Sequence, residues 1–295
     1  MNYENTNKIG VLGAISMVGQ SLIPLLTDAG YHVIAYSRRT HPQERAVEFR
    51  QLPNSPATND CSQRERITHW ICLAPIWTFP EHFSMLTAHR AKRVVALSST
   101  SIYTKRDSSE PAEQRVAEGL AQGEQRFIAW AEENGIEWVI LRPTLIYGNG
   151  QDRNICEIAR FIRRFGFFPL LGSGRGLRQP VHTEDVAAAC AAVLLKGEVH
   201  NQAYNLSGAE RLTYREMVAR VFRVMGMRER FVSIPLALLR VAMACLRVLP
   251  RFRNWSAAMA ERMETDMIFD HAAAVRDFGF APRPFRLDSS ELPKR

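Results

Sequence analysis

The stretch Lys8-Ile9-Gly10-Val11-Leu12-Gly13-Ala14-Ile15-Ser16-Met17-Val18-Gly19-Gln20-Ser21-Leu22 constrains the fold of this chain more than any other. The apolar run Ile9 to Leu12 suits a parallel strand covered on both faces. Met17, Val18, Leu22, Leu25 and Leu26 then repeat at helical spacing until Gly30 closes the helix. Between the two, Gly13 permits a tight turn and Gly19 permits close packing of the helix on the sheet. The free N–H groups and positive dipole end of the helix, from Ser16 through Met17 and Val18, then face a pyrophosphate. A strand, a tight turn and a helix start in this order make a dinucleotide site. In the pattern Gly13-x-x-Ser16-x-x-Gly19 a serine stands where a middle glycine is expected, and a strand–helix turn without a ligand is the alternative.

The next strand, Tyr31 to Tyr36, ends in Ser37-Arg38-Arg39. An acidic residue there would accept ribose hydroxyls, whereas a hydroxyl followed by arginines suits a 2′-phosphate, which favours NADP over NAD. The alternative is that both arginines are solvated loop residues. The segment Thr40 to Arg66 is polar, with Val47-Glu48-Phe49 as a short strand, and resembles a shortened crossover. Strands are then expected at Trp70 to Pro75, at Arg93 to Leu97 with the exit Ser98-Ser99-Thr100-Ser101-Ile102-Tyr103, and at Trp138 to Leu141 running into Arg142-Pro143-Thr144. Helices are expected near Phe79 to His89 and over Pro111 to Asn134. Strands alternating with helices predict an α/β fold, a doubly wound parallel sheet of Rossmann type with a smaller, mainly helical C-terminal lobe. The dinucleotide domain is placed at 1–150, continued by about 178–207, and the lobe at 151–177 and 208–295.

Composition narrows the function classes. With 295 residues and 46% hydrophobic content the chain can bury a full core. Cys61, Cys72, Cys156, Cys190 and Cys245 never form a Cys-x-x-Cys pair, which argues against a disulfide framework or a metal site. No leader-like segment and no run of 18 uncharged apolar residues is found, so a cytoplasmic protein without a membrane span is expected. The net charge of +8 is spread over the chain without an aromatic-basic module, which favours a small phosphorylated ligand over nucleic acid. The apolar stretch Ile234 to Leu249 contains Arg240 and Arg247. It reads as a core helix of the lobe, with an interfacial helix touching a membrane or an apolar substrate as the sharper alternative.

Four segments in order resemble the extended and atypical short-chain dehydrogenase/reductase superfamily, the NAD-dependent epimerase/dehydratase family. They are Gly13-x-x-Ser16-x-x-Gly19, Ser98 to Tyr103, Leu141-Arg142-Pro143-Thr144-x-x-Tyr147-Gly148, and Pro180-Val181-His182-Thr183-Glu184-Asp185-Val186-Ala187. The resemblance implies a nicotinamide cofactor across the switch point of the sheet and a substrate between the sheet and the lobe. It implies that Ala74 and Pro75 meet the ribose-nicotinamide region and that Pro143 and Thr144 line the nicotinamide. Ser99 falls at the catalytic hydroxyl, with Tyr103 and Thr100 beside it. Arg178 would grip a substrate pyrophosphate, a task suited to a planar bidentate cation, unless it pairs with Glu184 or Asp185. Tyr147 and His182 are further residues that could reach the cleft. A homodimer through the long helices is common in the wider superfamily.

The chain departs from that pattern in one respect. The family chemistry uses Tyr-x-x-x-Lys on the helix after the hydroxyl-rich strand, where lysine lowers the tyrosine pKa and the phenol exchanges a proton with substrate. With Glu124 taken as the helix glutamate, those positions hold Val116 and Leu120. Tyr103 and Lys105 would point to opposite faces if extended. Two functions follow as expectations. One is an NADP(H)-dependent oxidoreductase or epimerase/dehydratase acting on a nucleotide sugar or related carbonyl compound. The other is a non-catalytic dinucleotide-binding sensor or scaffold.

Overall fold

The computed structural model describes residues 8–38, 47–52, 66–234 and 262–293. Arg39, Cys61, Cys245 and the stretch from 235 to 249 lie outside them. Strands run over Lys8–Leu12 (β1), His32–Ser37 (β2), Val47–Gln51 (β3), His69–Cys72 (β4), Arg93–Leu97 (β5), Glu137–Pro143 (β6), Ile146–Tyr147 (β7), Phe168–Leu171 (β8), Leu177–Arg178 (β9), Val181–His182 (β10), Gln202–Leu206 (β11), Leu212–Thr213 (β12) and Phe231–Ile234 (β13). Helices cover Met17–Asp28 (α1), Phe83–Ala88 (α2), Ser101–Thr104 (α3), Pro111–Glu133 (α4), Ile155–Phe165 (α5), Thr183–Leu195 (α6) and Tyr214–Val224 (α7), with a further helix at Ala272–Phe278. Ile234, expected to open a helix, instead closes β13.

Seven strands pair in parallel in the order β3-β2-β1-β4-β5-β6-β11. The order reverses beside β1, which sits between β2 and β4, so this is the doubly wound sheet the strand–helix alternation predicts. Each strand alternates its residues between two apolar layers. Ile9, Val11, Val33, Ile71, Val95 and Val139 pack under α1 and α6, while Leu12, Ile34, Trp70, Val94 and Ile140 pack against Phe79 and α4. Burial on both faces explains why these strands read as continuous apolar runs. A third core joins α5, α7 and β8 through Ile158, Ile162, Phe168, Met217 and Phe222. The C-terminal segment does not stay wholly with that lobe, because Ala274, Phe278 and Phe280 enter the layer under α6. Cys72, Cys156 and Cys190 are buried and free. No helix among the described residues is long and apolar enough to cross a membrane.

One buried cation ties the amino edge of the sheet to a helix end. Arg93, 3% exposed, donates to the carbonyls of Val193 (2.8 Å), Lys196 (2.6 Å) and Val199, and pairs with Glu137. A guanidinium at the end of α6 satisfies carbonyls that the helix itself leaves open and meets the negative end of its dipole. Arg93→Met is expected to cost about 3 kcal/mol in urea unfolding, since the carbonyls become buried without donors. A loss below about 1 kcal/mol would show that water replaces the guanidinium there.

Candidate active site

The first half of the site is built by the turn after β1. Gly13 adopts φ +78°, and a Cβ on it would stand 2.8 Å from the Ala74 nitrogen. The Ser16 N–H donates to the Gly13 carbonyl at 2.9 Å, and the Ser16 hydroxyl accepts from the Gly19 N–H at 3.1 Å. Serine at this position is therefore the N-cap of α1, an assignment that a reading of Ser16 as a replaced glycine missed. A Cβ on Gly19 would lie 2.1 Å from the Ala14 carbonyl oxygen. This glycine therefore lets the helix close on the turn that leaves β1, where the nearest atoms a Cβ would meet are those of the Ala14 backbone. The groove beyond is flanked by buried Ser37 and exposed Arg38 at the end of β2, and by half-buried Ala74 and exposed Pro75 after β4. A bare glycine turn, a helix N-terminus and an exposed cation beside them fit a dinucleotide's phosphates. Over the helix start, Gln20 and Gln151 exchange amide hydrogen bonds of 3.1 Å, and the Asn149 amide donates to the Ser21 hydroxyl at 3.4 Å.

The second half is a cavity of about 450 Å³ beyond the carboxyl ends of β5 and β6. Ser99, Thr100, Thr144 and Arg178 are brought together on its wall. The Ser99 hydroxyl accepts from the Ser101 N–H at 3.1 Å, which leaves its own proton free to point elsewhere. Thr100 and Thr144 are more committed. Thr100 donates to the Pro143 carbonyl at 3.3 Å and Thr144 to the Gln179 carbonyl at 2.5 Å. Pro143 itself is buried at the end of β6 and does not line the cavity. Lys105, Arg262, Gln179, Tyr214 and Phe269 complete the wall with residues that sequence reasoning had not placed there. No carboxylate lines it among the described residues.

Arg178 is 5% exposed and pairs with neither Glu184 nor Asp185, which both bind Arg283 instead. Its guanidinium donates to the carbonyls of Leu177 (2.8 Å), Thr265 (2.9 Å) and Arg262, and lies over the Tyr214 ring at 5.4 Å. Burial lowers its pKa, opposed by Tyr214 and Asp266. The guanidinium is thus bonded by carbonyl dipoles, and no carboxylate among the described residues forms an ion pair with it.

Three expected site residues fall elsewhere. Tyr103 lies on the one-turn α3 rather than an extended exit, so it turns out of the cavity wall. It is 45% exposed, accepts from Arg142 at 2.7 Å and stacks on Phe269. Arg142 in turn grips the buried Glu124 through two bonds, one of 2.9 Å. Burial opposes the Arg142 charge, but Glu124 raises its pKa. Tyr147 is fully buried with its ring edge-on to His182 and Phe285, and burial pushes its phenol up to about 12. His182 caps α6 by accepting from the Glu184 N–H at Nδ1, so Nε2 carries the proton and donates to Glu291 at 3.1 Å. Both side chains belong to the packing between α6 and the C-terminal segment, not to the cavity that the substrate assignment required.

Residues 82–207 match the NAD dependent epimerase/dehydratase family. The chain is 25% identical to a subunit from Arabidopsis thaliana named NADH dehydrogenase [ubiquinone] 1 alpha subcomplex subunit 9, mitochondrial, with 94% of this chain and 74% of that protein covered. Among solved structures, the Thermotoga maritima UDP-glucose 4-epimerase with UDP-glucose superposes with a TM-score of 0.68 at 16% identity, covering 93% of each chain. The Thermus thermophilus UDP-glucose 4-epimerase complex with NAD gives 0.66 at 17% identity, covering 96% of each. At such identities the structural likeness is one of fold.

Two tests follow from this geometry. Gly13→Ala should lower the melting temperature more than Gly30→Ala, because Gly30 shares a positive φ of +84° yet a Cβ there meets nothing within 4 Å. Equal losses would mean that backbone strain alone, and no contact with Ala74, sets the cost. Arg142→Met should cost about 3–5 kcal/mol by stranding the Glu124 carboxylate, and adding Glu124→Leu should recover part of it in a double-mutant cycle. Strict additivity would show that the two side chains are not coupled.

Proposed function

We propose that this protein is an NADP(H)-using oxidoreductase or epimerase whose substrate is an anionic sugar or carbonyl compound, of which a nucleotide-linked sugar is the best fit. The observation that carries the reading is the hydroxyl-lined cavity with Lys105 and Arg178 on its wall, beyond the carboxyl ends of β5 and β6 in the sheet that also carries the glycine turn. Lys105 and Arg178 bring charge to it, and neither is ion-paired with a carboxylate among the described residues, so a bound diphosphate would meet cations with bonding capacity to offer. The match of residues 82–207 to the NAD dependent epimerase/dehydratase family and the UDP-glucose and NAD named with the two epimerase structures support the same class.

A bound nicotinamide dinucleotide supplies and recovers a hydride. The protein's own residues would do the rest. Met17 and Val18 present N–H groups to phosphate at the start of α1, and Arg38 offers a cation to a 2′-phosphate. Ser99 donates its free proton in a hydrogen bond to a substrate oxygen. The Phe269 and Met267 side chains exclude water from the far wall.

A second reading is a dinucleotide-binding subunit without turnover. It is favoured by α4, which carries neither tyrosine nor lysine, and by the likeness to a subunit named for NADH dehydrogenase. Fluorescence titration separates the readings in two steps. NADPH is expected to bind more tightly than NADH, with the preference abolished in Arg38→Ala. No binding of either nucleotide overturns both readings. Binding followed by conversion of UDP-sugars supports the enzyme, and binding without conversion supports the subunit.

A further inference from the structure

We propose that Lys105 exchanges the proton with the substrate oxygen in this cavity, taking the task for which α4 offers no side chain. The proposal rests on the enzymatic reading above and assigns its acid–base group.

Position is the first argument. Strand β5 ends at Leu97, and the single turn of α3 then directs Ser99, Ser101, Thr104 and Lys105 to the cavity while Tyr103 faces Arg142. Lys105 closes α3 as its C-cap, its N–H bonded to the Ser101 carbonyl at 3.1 Å. Its half-buried ammonium has no carboxylate partner among the described residues. Lys105 and Ser99 thus share one cavity wall, and no side chain among the described residues engages the Lys105 head group.

Elimination is the second. Among the described residues, the titratable and charged side chains lining the cavity are Lys105 after α3, Arg178 on β9, Tyr214 on α7 and Arg262. Glu113 of α4 faces the same region but is paired with Arg262, and Asp266 accepts from the Leu177 N–H at 2.8 Å. Arg106 and Asp107, next in the chain, are exposed. Neither arginine can release a proton near neutrality. Burial pushes the Tyr214 phenol up to about 12. Burial, and then the charge of Arg262, hold Lys105 below the ordinary lysine range. The composition points the same way. The chain uses 33 arginines and 5 lysines, so a lysine on this wall is the uncommon choice and the one cation type that can titrate.

As a substrate carbonyl carbon takes a hydride from a reduced nicotinamide dinucleotide, the carbonyl oxygen takes a proton from the Lys105 ammonium. One N–H bond breaks, one O–H bond forms, and a neutral amine remains to be reprotonated from water. In the oxidative direction the neutral amine accepts the hydroxyl proton.

The test has two arms. Reductive methylation with ¹³C-formaldehyde labels the lysines of the intact protein, and Lys105→Arg identifies the Lys105 signal. That signal is expected to titrate at lower pH than the signal of exposed Lys92, and titration together with Lys92 overturns the proposal. In the second arm, NADPH and NAD binding are compared between wild type and Lys105→Arg, followed by turnover of UDP-glucose and UDP-glucuronic acid. The variant should keep dinucleotide binding while turnover falls by about 100-fold or more and its pH profile loses the limb due to the amine. Turnover at the wild-type level in Lys105→Arg overturns the proposal alone. Wild-type protein that binds dinucleotide and converts nothing overturns the enzymatic reading and the proposal with it.

Discussion

The structure depends on three places where β1 and its turn have no room for a side chain. At Gly10 a Cβ would enter the Trp70 ring, at 2.3 Å from its nearest atom. At Gly13 it would press on the Ala74 nitrogen, and at Gly19 on the Ala14 carbonyl. The first contact lets Trp70, fully buried and tilted against the rings of Tyr36 and His89, lie over β1. The second brings the loop after β4 alongside the turn, and the third seats α1 directly on it. Remove these vacancies and the switch point of the sheet, where the groove opens, has nothing to form around. Gly10 was not singled out from sequence, because a glycine inside an apolar strand gives no sign of which ring will cover it.

The sheet was legible because burial on both faces writes itself as uninterrupted apolar runs, and its helices because Gly30, Gly135 and the apolar spacing mark their limits. The helix over Ile155–Phe165 carries the same marks, apolar residues at helical spacing and Gly166 at its end. What sequence pattern could not supply was direction. Tyr103 and Lys105 diverge, as an extended chain would make them, but they do so on a helical turn that aims Lys105 at the cavity and Tyr103 at Arg142. Tyr147 and His182 look like site residues in a motif and serve as packing, because a C-terminal segment some hundred residues later returns to cover them with Phe285 and Glu291. Long-range closure of this kind leaves no local trace.

Backbone carbonyls recur as partners for buried guanidinium groups. Arg93 meets the end of α6, and Arg178 meets Leu177, Thr265 and Arg262. Such bonds satisfy donors without cancelling charge, since a carbonyl contributes a dipole and no net charge. At the amino edge of the sheet this strengthens a helix end. On the cavity wall the same device fixes a cation in place while preserving its attraction for an anion, which a carboxylate partner would have reduced.

The amide pair of Gln20 and Gln151, with Asn149 on Ser21, lays the loop after β7 across the start of α1. These are neutral, exposed bonds whose partners water replaces at little cost. Beneath them lie some of the most deeply buried residues of the molecule, Val18, Leu22 and Val11. Local opening of the loop and global unfolding are therefore separated by most of the stability of the domain. Amide protons of the loop should exchange by fraying, those of β1 only by complete unfolding, and a molecule entering the groove can do so while the sheet below stays intact.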